Sequence, residues 1–97
     1  MDYEVNIKSI TFKVIGDFNL SKVRKIQHIL KDKNNFELII FDLSNTLFIN
    51  SEAIKLIYLL NKEGKRLHLI KPPEIFKKTI QILGLKEAFY AITNKPI

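Results

Sequence analysis

The run from Phe36 to Leu43 constrains this chain more than any other segment. It reads Phe-Glu-Leu-Ile-Ile-Phe-Asp-Leu. A short, nearly continuous apolar stretch with β-branched and aromatic residues fits a central strand covered on both faces; a buried helix segment gives the same pattern. The segments around it alternate in type. Residues 3–8 place Tyr3, Val5 and Ile7 on one side and Glu4, Asn6 and Lys8 on the other, the pattern of a half-buried strand. The alternation resumes out of phase at Ile10, Phe12 and Val14, so a tight turn or bulge lies near Ser9. No Asn-Gly or Asp-Gly marks a hairpin there. Gly16-Asp17-Phe18-Asn19 breaks the pattern. Asn19 or Ser21 can then cap a helix whose apolar positions are Leu20, Val23, Ile26, Ile29 and Leu30. Asp32-Lys33-Asn34-Asn35 closes it.

Beyond Ser44-Asn45 come a short apolar stretch, Leu47-Phe48-Ile49, and Asn50, a good N-cap for a helix from Ser51 to about Glu63. Gly64 stops that helix. Arg66 to Ile70 reads as a strand that Pro72-Pro73 ends, with Pro73 suited to the start of the next helix. That helix has Ile75, Phe76, Thr79, Ile80 and Leu83 as its apolar face and ends at Gly84. Lys86 to Tyr90 suits a short helical turn, and Tyr90 to Thr93 a last short strand. Strands alternating with helices predict an α/β fold with parallel crossovers. The expected architecture is one domain over residues 1–97, with a mixed, mostly parallel sheet of four or five strands and helices packed against it.

The 97 residues contain no cysteine, which excludes a disulfide scaffold, a thiolate metal site and a cysteine nucleophile. No apolar run approaches the roughly 20 residues of a membrane helix, so membrane insertion is not expected. The start, Met1-Asp2-Tyr3-Glu4, lacks an apolar signal core, and the expected location is the cytoplasm. The net charge of +6 suggests nucleic acid as a partner, but only Arg24 and Arg66 among the 16 cations are arginine. The lysines are spread from Lys8 to Lys95, as on solvated helix faces, so no direct nucleic-acid contact is expected. His28 and His68 lie on different elements without an acidic cluster, so neither is read as a metal ligand. Ser51 has no evident histidine partner and no glycine-rich phosphate loop is present. The chain is therefore not expected to be an enzyme or to need a cofactor.

Two segments carry a family resemblance. Leu38-Ile39-Ile40-Phe41-Asp42-Leu43-Ser44 leads into Leu47-Phe48-Ile49-Asn50-Ser51, and Ile82-Leu83-Gly84-Leu85 follows the third helix. In this order, over essentially the whole chain, they resemble the STAS domain of bacterial anti-sigma factor antagonists and of the cytoplasmic tails of sulfate transporters. In the antagonist branch the turn before the second helix reads Phe-hydrophobic-Asp-Ser-Ser/Thr-Gly-Leu, and its first Ser accepts phosphate from a partner serine kinase. Here the stretch is Phe48-Ile49-Asn50-Ser51-Glu52-Ala53-Ile54. Ser51 falls on the acceptor position, whereas Asn50, Glu52 and Ala53 depart from the pattern.

The resemblance implies a protein that works by binding an anti-sigma factor with a serine-kinase ATPase fold, so releasing a sigma factor, with Ser51 as the candidate phosphoacceptor. A second implied role is a regulatory subunit of a membrane transport system for lipids or anions, without phosphorylation. On a helix the spacing puts Ala53, Ile57 and Leu60 on one side, Ser51, Lys55, Tyr58 and Lys62 opposite, and Leu56 and Leu59 on a flank. A neighbouring helix buries that flank, or Leu59 and Tyr58 join a partner surface with Asn50, Ser51, Glu52 and Lys55. Asp42, with Ser44 beyond it, is expected to form a turn by bonding nearby backbone N–H groups.

Overall fold

Three strands carry the core of the sheet because each presents two bulky apolar residues, one residue apart, to the same side. In the computed structural model, which describes residues 1–32 and 35–89, they are β2 (Ser9–Lys13), β4 (Leu38–Asp42) and β6 (Arg66–Ile70). β4 lies in the middle, parallel to both neighbours. The register lines up Ile10, Ile39 and Leu67 in one row and Phe12, Phe41 and Leu69 in the next. All six are buried. Phe41 stacks on Phe12 with ring centroids 5.7 Å apart and also meets Phe18.

The opposite face differs. Leu38, Ile40, His68 and Ile70 are only half-buried. The expectation of a central strand covered on both faces is therefore corrected: β4 is fully buried on one side only. β1 (Asp2–Val5) joins β2 as an antiparallel edge strand through a turn in which the Asn6 N–H donates to the Ser9 carbonyl at 2.8 Å. The expected phase slip is this hairpin. The expected half-burial over residues 3–8 is not found: every residue of β1 is exposed and Ile7, in the turn, is 93% exposed.

α1 (Leu20–Asp32) and α2 (Ser51–Lys62) are the two crossovers and touch each other. Asn19 caps α1, accepting from the Lys22 N–H at 3.2 Å. Val23 and Ile26 are the buried residues of α1, while Leu20 is exposed. α3 (Glu74–Ile82) buries Phe76 and Ile80 only. Its expected apolar face was wider, but Ile75 and Leu83 lie outside the buried arc and are exposed.

Residues 86–89 form one helical turn, fixed to α2 by the Asn61 side chain donating to the Ala88 carbonyl and to α3 by Phe89 meeting Phe76 edge-on. The expected last strand, Tyr90 to Thr93, lies outside the described residues, as do Lys33 and Asn34 of the expected close of α1. Gly64 and Gly84 end α2 and α3 at φ of 86° and 71°. In both, the glycine N–H and the next N–H bond back to carbonyls of the last turn, a left-handed close that a side chain would strain.

Two further strands were not expected. β3 (Gly16–Phe18) and β5 (Thr46–Ile49) pair in parallel as a separate two-stranded sheet. Both are too short to show periodicity in sequence. Their pairing depends on the ends of β2 and β4 bringing them together: the Val14 N–H donates to the Asp42 carbonyl and the Gly16 N–H to the Asn45 carbonyl.

Candidate functional site

At the carboxyl end of β4 the chain must turn sharply and rise into β5. Asp42 makes that turn. One of its carboxylate oxygens accepts from the Ser44 hydroxyl at 2.6 Å and from the Ser44 N–H at 3.1 Å. These bonds favour the ionised form, and the hydroxyl bond is the main reason that the Asp42 carboxyl lies below its ordinary pKa. Partial burial opposes the shift, while Lys13 and Lys71 assist it. The turn expected of Asp42 and Ser44 is thus present, and it is structural.

Thr46 then anchors the start of β5. It is the one buried polar side chain among the described residues, and its hydroxyl donates to the Val14 carbonyl at 2.7 Å. Asn50 ends the strand and begins α2. Its backbone is extended, its N–H reaches the Phe18 carbonyl, and its side-chain oxygen accepts from the Ala53 N–H at 3.0 Å. An Asn at this position caps as well as an Asp.

Between these two anchors Leu47 and Phe48 are 67% and 65% exposed. They are held on a short strand rather than a loose loop, so their side chains are presented in a fixed place. Ser51, Glu52 and Lys55 follow on the exposed side of α2, with Ala53 and Ile54 buried beneath. Among the described residues the Ser51 hydroxyl and the Ser51 and Glu52 N–H groups have no hydrogen-bond partner. Free N–H donors at the positive end of a helix favour an anion. An added phosphate on Ser51 would meet those donors while adding about −1.5 to −2 charges beside Leu47 and Phe48. α3 touches β5.

The expected partner surface is split. Asn50, Ser51, Glu52 and Lys55 stand together at the head of α2. Tyr58 is half-buried, its ring 6.3 Å from that of Phe89 and covered by the Lys62 ammonium. Leu59 points to neither: it is 42% exposed on the lip of a cavity between α1 and α2, while Leu56 on the same flank is buried. Leu47 and Phe48 were not singled out in the sequence as exposed apolar residues. The signal was present: two adjacent apolar residues in a four-residue strand cannot both face one core.

Neither histidine joins a ligand set. His28 is exposed and lies 3.5 Å from Asp32, and His68 is half-buried on the sheet face away from the core. No group of three or more potential metal ligands occurs among the described residues. No helix among them is long and apolar enough to cross a membrane.

No protein-family model matches the chain, and no curated protein matches it in sequence. Solved structures do. The phosphorylated form of SpoIIAA, a Bacillus cell fate determinant, superposes with a TM-score of 0.69 at 19% identity, covering 89% of this chain and 85% of that one. The unphosphorylated form of the anti-sigma factor antagonist SpoIIAA gives 0.67 at 18% identity over 84% and 81%. A sulfate transporter family protein from Wolinella succinogenes gives 0.67 at 14% identity, over 88% of this chain and 74% of that one. At such identities the likeness is one of backbone architecture. The chain has the STAS fold, the fold of the anti-sigma factor antagonist SpoIIAA.

Proposed function

We propose that this chain is an anti-sigma factor antagonist. In this reading it is a cytoplasmic binding protein, not an enzyme. It docks an anti-sigma factor of the serine-kinase type on the surface formed by Leu47, Phe48 and the head of α2, so that a sigma factor is released. The observation that carries the reading is the position of Ser51. It lies exposed in the first turn of α2, beside two presented apolar residues, in a fold shared with a protein solved both with and without phosphate. The partner brings the ATP and magnesium. Phosphate on Ser51 is accepted by the helix end and repels or obstructs the docked partner, so binding changes without unfolding.

A second reading has its own support. Asn50, Glu52 and Ala53 depart from the phosphoacceptor pattern, and the fold is shared equally with a sulfate transporter family protein. A regulatory subunit of a lipid or anion transport system would use the same surface without phosphorylation.

The two separate in one experiment. The tagged chain is incubated in native lysate with magnesium and ATP, and the bound proteins and the Ser51 peptide are read by mass spectrometry. Capture of an anti-sigma kinase with phosphate on Ser51 supports the switch. The same capture without phosphate leaves an unswitched antagonist. Capture of a transport ATPase in its place overturns the first reading in favour of the second.

A further inference from the structure

A cavity of about 340 Å³ opens between the last turns of α1 and α2, at the end of the sheet opposite Ser51. Its floor is apolar. Ile39, Leu56, Phe36 and Leu60 are buried there, with Leu30 half-buried and Leu59 on the lip. Its rim is polar: Gln27, Lys31, Glu63 and Lys65. Neither lysine forms an ion pair among the described residues, not even with Glu63 on the same rim, and Lys65 is half-buried. With two lysines and one glutamate the rim keeps a positive balance, and neither ammonium is held by a described carboxylate.

A greasy floor beneath unpaired ammonium groups complements one chemistry, an alkyl chain ending in an anion. The volume lies at the lower end of the roughly 300–1,000 Å³ of small-ligand pockets. The lining runs along two turns of α2, from Leu56 to Glu63, and is closed by the end of α1, by Phe36 and Ile39, and by Lys65. We propose that this cavity binds a single-chain amphiphile with a carboxylate head, its tail over Ile39, Leu56 and Leu60 and its head between Lys31 and Lys65. The site stands apart from Ser51. Leu59 and Glu63 lie 8 and 12 residues along α2, about 12–18 Å away at 1.5 Å per residue. It is independent of the partner reading above.

The test is a titration of the purified full chain with decanoate and with decanol, both below their micelle-forming or solubility limits, followed by methyl NMR. The expected result is saturable shifts of the Leu30, Ile39, Leu56, Leu59 and Leu60 methyls, with decanoate bound about tenfold more tightly than decanol. Lys65→Met should erase most of that preference and leave decanol binding unchanged. Leu59→Gln, at a half-exposed position that folding tolerates, should weaken both ligands. The proposal is overturned by the absence of saturable binding, by equal affinity for acid and alcohol, by shifts centred on Leu47 and Phe48, or by Lys65→Met binding decanoate as the parent does.

Discussion

β4 and β5 follow one another in the chain and are both apolar, yet they end in opposite surroundings. In β4, Ile39 and Phe41 are 2% and 0% exposed. In β5, Leu47 and Phe48 are 67% and 65% exposed. The difference comes from their neighbours. β4 has a parallel strand on each side and two helices over one face, so its alternate side chains fall on a closed layer. β5 has one three-residue partner and lies outside the main sheet. Its ends are fixed by Thr46 and Asn50, and of the three residues between them Leu47 and Phe48 face outward while Ile49 is half-buried. Apolar character in β4 holds the fold together. In β5 it is displayed, and display of fixed apolar side chains beside a helix start suits a docking surface.

Substitutions should separate the two strands sharply. Phe41→Ala removes a ring packed against Phe12 and Phe18 and should cost about 3–5 kcal/mol in denaturant unfolding. Thr46→Val keeps the shape but leaves the buried Val14 carbonyl without its hydroxyl donor, at a cost of about 1–3 kcal/mol. Asn50→Ala removes the cap of α2 and should cost about 1 kcal/mol, with Asp restoring it. Phe48→Ser should change stability by less than about 0.5 kcal/mol, because its ring is mostly in solvent. A loss comparable to that of Phe41→Ala would show that β5 belongs to the core and would dissolve the contrast.

The turn between the strands adds a shallow pH dependence. The folded-state pKa of Asp42 lies below the unfolded value of about 3.9. Its contribution is therefore complete above that value and is lost as pH falls through the lower, folded value. Asp42→Asn should flatten the acid limb of a stability–pH curve measured by denaturant unfolding, and an unchanged limb would remove Asp42 as its source.

Much of this arrangement was legible in the sequence. The three helices were readable from spacing and from Asn50, Gly64 and Gly84, whose roles are local and need no tertiary context. β6 and the alternating part of β2 were readable for the same reason. The exposure of β1 was not, because Tyr3, Val5 and Ile7 show the alternation of a covered strand and only the strand order reveals an edge. The one-sided cover of β4 was hidden similarly, since Leu38 and Ile40 look as apolar as Ile39 and Phe41. β3 and β5 are tertiary products, formed where longer strands deliver them. At the site, the family resemblance drew attention to Ser51, and helix geometry placed Lys55 on the same stripe. The separation of Leu59 from that group required knowing where α1 lies.

In the proposed function, β5 and the head of α2 form one docking surface. The direct measurement uses the Leu47→Ser/Phe48→Ser double variant, with its melting temperature and its capture of partner from native lysate with magnesium and ATP taken side by side with the parent chain. The account predicts that the variant melts within a few degrees of the parent, that the parent captures an anti-sigma kinase, and that the variant loses that capture. A folded variant that captures the same protein as well as the parent does would contradict it.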